Sequence, residues 1–187
     1  DIIVKGRWYE AASSVFNPNG RAVILSGTGD QYLEKDAPDA NTFAFLSIDK
    51  SSGEVLLLND IQVQNVLRFE SGNTANINTD VNSLIISDNS TSAIVRTGSG
   101  HVIGNLNRRC GVAGNYFFPV GTAAGYTPVS LNYASIDQQQ NVVVRSTDGD
   151  HPDIANYGLN ADKYVSRYWS VTRIGSGSFQ VDATFTY

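Results

Sequence analysis

Apolar residues fall in short runs separated by turn-forming residues along the whole 187-residue chain. No stretch of ten or more residues places them at i, i+3, i+4 and i+7, so amphipathic helices are not expected. Between residue 22 and about residue 107 the runs crowd together, at 22–25, 43–48, 55–58, 61–69, 84–86, 93–95 and 102–106. Ser26-Gly27-Thr28-Gly29, Lys50-Ser51-Ser52-Gly53, Ser71-Gly72-Asn73 and Thr97-Gly98-Ser99-Gly100 punctuate them. Such residues supply the positive φ angles and local hydrogen bonds that turns require. Within 61–69, Ile61, Val63, Leu67 and Phe69 share one parity, and Gln62, Gln64 and Arg68 share the other. That is a strand with one buried side. Asn65 interrupts the inward row where a solenoid corner would turn. Strands this short and close build either a β-sandwich or a few coils of a parallel β-helix, and the internal repeat is too degenerate to decide between them.

From Arg108 onward the runs lengthen and become aromatic, at 115–120, 129–133, 141–145, 163–173 and 178–187. In the last of these, Phe179, Val181, Ala183, Phe185 and Tyr187 alternate with polar residues, which predicts an antiparallel strand with one face buried. Ile174-Gly175-Ser176-Gly177 reads as the turn of a terminal hairpin. A soft boundary falls at 108–114, where Gly111 and Gly114 bracket a turn. The expectation is an all-β chain: residues 1–107 form a β-solenoid or β-helix-like part, packed end-on against an antiparallel β-sandwich at 108–187. The two parts are able to form one continuous unit.

Composition narrows the class. Hydrophobic residues make up 41% and charged residues 17% of the chain. At this length a core can form without disulfides or metals, and the lone Cys110 reads as a small, semi-buried apolar residue. Thirteen basic residues against eighteen acidic ones give a net charge of −5, with no basic stripe, so nucleic acid is not an expected partner. No run approaches the roughly 20 apolar residues of a spanning helix, so membrane insertion is not expected. Asp1 to Gly6 lack the pattern of a signal peptide, as in a chain whose signal has been removed or an excised module. A chain ending inside an alternating segment favours excision or a tightly packed end.

Candidate chemistry is sparse. Asp148-Gly149-Asp150-His151-Pro152-Asp153 gathers three carboxylates and an imidazole, making Asp148, Asp150 and Asp153 weak calcium candidates. The rest of a calcium loop is missing, and an ordinary turn explains the cluster better. His101, His151 and Cys110 lie too far apart in sequence to suggest zinc. His101 reads as a surface histidine at a strand edge. No nucleophile elbow or phosphate-binding loop occurs, so no catalytic residue and no cofactor is assigned. Asn89-Ser90-Thr91 is a formal glycosylation acceptor on a polar, exposed loop. Trp8, Tyr9 and Trp169 are the first aromatics to consider for stacking on sugars.

Two stretches are more specific. Asn115-Tyr116-Phe117-Phe118-Pro119-Val120-Gly121-Thr122, followed by Gly125-Tyr126-Thr127-Pro128-Val129, resembles the "FPVGT … Y.PV" signature of large modular surface proteins of Bacteroidota, many exported by the type IX route. Gly149-Asp150-His151-Pro152 and Ser166-Arg167-Tyr168-Trp169-Ser170-Val171 resemble that family's "G.HP" and "RYW" segments. The resemblance covers residues 85–187 well and 20–87 more loosely. The sorting domain that usually closes the family's chains has no counterpart here. The resemblance implies an extracellular or cell-surface β-module and no activity. In physical terms Phe118, Pro119, Gly121, Tyr126, Pro128, His151, Pro152, Arg167, Tyr168 and Trp169 read as architecture.

The function expected is a non-catalytic structural or adhesive module of a cell-surface protein or fibre. A carbohydrate-binding module or a polysaccharide-active β-helix enzyme is the alternative. Partners follow from sheet edges: Ile2, Ile3 and Val4 at one end, and Phe179, Val181, Phe185 and Tyr187 at the other, carry little of the charge that protects free edges. Neighbouring modules or identical subunits joined head to tail are therefore expected, with surface glycans a second partner class.

Overall fold

The structure is a computed structural model and describes residues 1–37, 40–156 and 165–187. Among the described residues it is all-β, with 59% in strands and no α-helix, and it combines a β-solenoid of about five turns with a separate three-stranded antiparallel sheet. In chain order the strands are β1 (Ile2–Val4), β2 (Trp8–Glu10), β3 (Ala22–Gly27), β4 (Gln31–Lys35), β5 (Asn41–Lys50), β6 (Val55–Leu57), β7 (Ile61–Phe69), β8 (Ile77–Ile86) and β9 (Ile94–Arg96). They continue as β10 (Val102–Cys110), β11 (Gly114–Phe118), β12 (Val120–Thr122), β13 (Gly125–Tyr126), β14 (Val129–Ile136), β15 (Gln140–Asp148), β16 (Arg167–Ile174) and β17 (Phe179–Phe185).

Three parallel ladders build the solenoid. The first stacks β1, β3, the second half of β5, the end of β7 and β9. The second stacks β2, β4, β6, the start of β8, the start of β10 and β12. The third stacks the starts of β5 and β7 on the ends of β8 and β10. Strands β5, β7, β8 and β10 thus each turn a corner. The register breaks at Phe43/Phe45 and Ile103/Asn105 mark two of these corners. At the second, Gly104 has a φ of +106° and the neighbouring coil's Asp80 a φ of +51°. The Thr79 hydroxyl accepts the Asn105 amide at 2.8 Å.

Register stacks the inward-facing residues of successive coils on top of one another. Val23, Leu46, Leu67 and Ile94 form one inward row, and Leu25, Ile48 and Phe69 a second. In the third ladder the rows are Asn41-Ile61-Leu84-Leu106 and Phe43-Val63-Ile86-Arg108. All of these residues are buried. Apolar rows exclude water from the coil interior, at about 25 cal/mol per Å2 of apolar surface removed. The N-terminal end is plugged by Trp8, whose ring lies 4.7 Å from Phe16 and 5.3 Å from Phe43.

At the other end β15 adds antiparallel to β10, and β16 adds to β15. Strands β11, β14 and β17 form the second sheet. Tyr116, Phe118, Leu131 and Tyr133 from that sheet share one core with Leu106, Val142 and Val144 from the first. This is the expected sandwich. The expected division at 107/108 falls inside β10, and β12 beyond it is still a rung of the second ladder.

Three expectations need correction. Strands β16 and β17 do not pair as a hairpin: the 175–178 turn is an arch that carries the chain from one layer to the other. The strand expected at 163–173 starts at Arg167, and residues 163 and 164 lie outside the described residues. His101 is buried, with 7% exposure, because Gly121 of the next rung leaves room for its ring.

Candidate functional site

The signature residues gather where the solenoid meets the sandwich. Phe118 is buried, and the Pro119 carbonyl accepts the Val102 amide at 2.8 Å. A Cβ on Gly121 would come within 2.5 Å of both the Gly125 oxygen and the His101 ring, so only glycine closes this rung. The Arg96 guanidinium covers the Tyr126 ring at 3.9 Å and donates to the Gly100 carbonyl at 2.7 Å. His101 Nε2 lies 3.1 Å from the Thr122 carbonyl, and burial lowers its pKa. The Pro128 carbonyl accepts the Thr186 amide, and Trp169 Nε1 donates to the Thr127 carbonyl at 3.0 Å.

The second half of the signature ties the ends of β15 and β16. Arg167 grips Asp148 Oδ1 through Nε at 2.9 Å and Nη2 at 2.8 Å. A hydrogen bond from Thr122, reinforced by Arg167, holds the Asp148 carboxyl below the usual range. His151 meets the Tyr168 ring edge-on at 5.0 Å, while Pro152 is exposed in the turn.

The calcium candidates are engaged separately. Asp148 takes Arg167, Asp150 Oδ1 accepts the Ser166 hydroxyl at 2.7 Å, and Asp153 lies 4.0 Å from His151 Nδ1. Among the described residues no three His, Cys, Asp or Glu side chains form a group that could hold a metal ion. The sugar-stacking candidates are not brought together either. Trp8 belongs to the N-terminal plug, Tyr9 is exposed and donates to Asp36, and Trp169 is half-buried 5.4 Å from Phe185.

Sequence reasoning missed Arg108. Its parity with Val102, Leu106 and Cys110 places it in an inward row, and it is fully buried. It donates to the carbonyls of Phe117 at 2.7 Å and Ser90 at 2.9 Å, and burial brings its pKa down to about 10. The Asn89-Ser90-Thr91 triplet is therefore a half-buried joint, not the exposed loop expected: Tyr116 donates to the Asn89 carbonyl at 2.7 Å. Cys110 is fully buried, and desolvation pushes its thiol up to about 12.

Concavities lie on both parts: one of about 270 Å3 on the solenoid flank is lined by Ala22, Ile24, Phe45 and Arg68 among others, and two lie on the sandwich. On the outer face of the second sheet, Asn115, Ser130, Asn132, Asp182 and Thr184 line a polar cleft of about 530 Å3. Between the two layers, an apolar slot of about 240 Å3 opens at the edge of the sandwich. Its floor is Leu131, Tyr133 and Val142; β16 contributes Val171 and Arg173, and β17 contributes Phe179, Val181, Ala183 and Phe185. Of the proposed assembly residues, Phe179, Val181 and Phe185 thus meet in one slot. Tyr187 is exposed, and Ile2 and Val4 extend the rows of Val23 and Leu25 at the opposite end.

Compared with known family models, curated proteins and solved structures, the chain matches none. Among the described residues no helix is long and apolar enough to cross a membrane.

Proposed function

We propose that the chain is a non-catalytic structural or adhesive module of an extracellular or cell-surface protein or fibre, joined to neighbouring modules or identical subunits. The observation that carries this reading is the use made of the signature residues. Tyr126, Arg167 and Trp169 are all spent on internal contacts: Tyr126 packs under Arg96 of the solenoid, Arg167 ties β16 to β15, and Trp169 holds the Thr127 carbonyl ahead of β14. The sandwich in turn leaves an apolar slot at its edge. A scaffold built this way presents edges and faces to other chains, and the resemblance to surface modules of Bacteroidota supports the same reading. Proteolysis of intact source cells tests it. Release of fragments of this chain without lysis is the expected result, and protection until lysis contradicts it.

A carbohydrate-binding reading is favoured by one feature, the polar cleft around Asn132 and Asp182, whose amides, hydroxyls and carboxylate match sugar hydroxyls in kind. A glycan array separates the two readings: saturable binding abolished by Asp182→Ala supports the carbohydrate module.

A further inference from the structure

We propose that the slot between β16 and β17 takes an extended strand from a neighbouring module, which pairs with β17 and inserts alternate apolar side chains between the layers. The proposal deepens the structural reading and rests on it for its donor.

Among the described residues β17 pairs only with β14, and β16 only with β15, so both layers end in an open edge on the same side. Open edges present a row of unpaired N–H and C=O groups to other chains. The inward face of β17 reads Phe179, Val181, Ala183, Phe185, the pattern of a covered strand. Yet Phe179 and Phe185 are each 42% exposed, as is Val171 opposite them. The slot exceeds the roughly 150 Å3 cavity that holds a benzene ring and accommodates aliphatic side chains from a third strand.

Charge distinguishes both the edge and the occupant. Arg173 points inward from β16, and an inward charge blunts an edge against pairing. The inward face of β17 carries no charge, so β17 is the edge that accepts a strand. Among the described residues Arg173, held 5.0 Å from the Phe179 ring, is the one charge lining the slot, and no carboxylate lines it. A second copy meeting the slot edge to edge brings another Arg173 and no counter-charge. The fitting occupant is an extended segment with apolar residues at alternate positions and a carboxylate opposite Arg173. Such a segment gains main-chain hydrogen bonds along β17 and specificity from its alternate side chains.

The probe is a nine-residue synthetic peptide, blocked at both ends, that alternates valine with threonine and carries one glutamate among its inward positions. Its binding to the intact chain is measured by calorimetry, and its location by hydrogen exchange at the β17 amides. Saturable binding, with slowed exchange at β17, is expected. Ala183→Arg, at an exposed position that leaves the fold intact, should weaken binding at least about tenfold. Arg173→Glu should weaken it similarly and restore it for the same peptide with lysine in place of glutamate. A peptide of equal composition with the alternation scrambled should not bind. Binding that ignores both substitutions, or no saturable binding at millimolar peptide, overturns the proposal. So does a chain that dimerises alone and slows exchange at the same amides. Cell-surface exposure with no peptide binding removes this proposal and leaves the structural reading standing, so the two fail separately.

Discussion

The buried Arg108 guanidinium, at the end of the solenoid's last coil, donates to the Phe117 carbonyl at 2.7 Å and so fastens the first strand of the second sheet to the solenoid. Its other nitrogen holds the Ser90 carbonyl. Arg108→Ala strips the half-buried Phe117, Ser90 and Thr91 carbonyls of their donor and leaves a void, a loss on the order of 3–5 kcal/mol. Urea unfolding checks this; an unchanged midpoint would show that the joint does not depend on Arg108.

Asn41 predicts the opposite sign. It is fully buried at the start of the Ile61-Leu84-Leu106 row, and among the described residues neither its amide nitrogen nor its oxygen has a hydrogen-bond partner. Asn41→Leu removes the cost of an unsatisfied polar group and extends the apolar row, for a gain of about 1–3 kcal/mol. A higher urea midpoint with an unchanged slope is the expected outcome. A destabilised variant contradicts it.

Corner geometry makes a third prediction. Gly104 combines a φ of +106° with a position where a Cβ would collide with the Thr79 hydroxyl, whereas Gly6 faces open space. Gly104→Ala should cost about 2–4 kcal/mol through strain and collision. Gly6→Ala should stay within about 0.5 kcal/mol. Equal melting temperatures for the two variants contradict the placement of the corner.

Stability should fall in mild acid through His101. Burial lowers its pKa from the ordinary 6.5, Arg96 lowers it further, and the Thr122 carbonyl and Glu54 oppose the shift. The unfolded chain therefore takes up a proton near 6.5 that the folded chain accepts only at lower pH. Stability contributed by neutral His101 is full above about pH 6.5 and is lost as pH drops toward the folded pKa. His101→Gln should flatten the melting temperature over that window, and a slope unchanged by the substitution contradicts the assignment.

Much of the fold was legible because strand parity survives even where the repeat does not. Val102, Leu106 and Cys110 face inward as their alternation requires. The coil repeat was hidden because registered partners are unevenly spaced: Asn41 pairs with Ile61, but Leu67 pairs with Ile94 across a longer connection. The arch at 175–178 was misread because an arch and a hairpin join strands of the same alternation, and only tertiary pairing distinguishes them. Arg108 was overlooked because a charged residue in an inward row looks like a break in the pattern until the carbonyls that receive it are in place. The slot was half visible: the alternation of β17 announced a covered face, and folding left that face open.

The proposal that the chain is a non-catalytic module is tested most directly by turnover. The chain and its Asp182→Asn and Asp148→Asn variants are incubated with a panel of acidic polysaccharides, and new reducing ends and unsaturated products are measured. The account predicts the same background for all three proteins. Turnover that one of these carboxylate substitutions abolishes would contradict it.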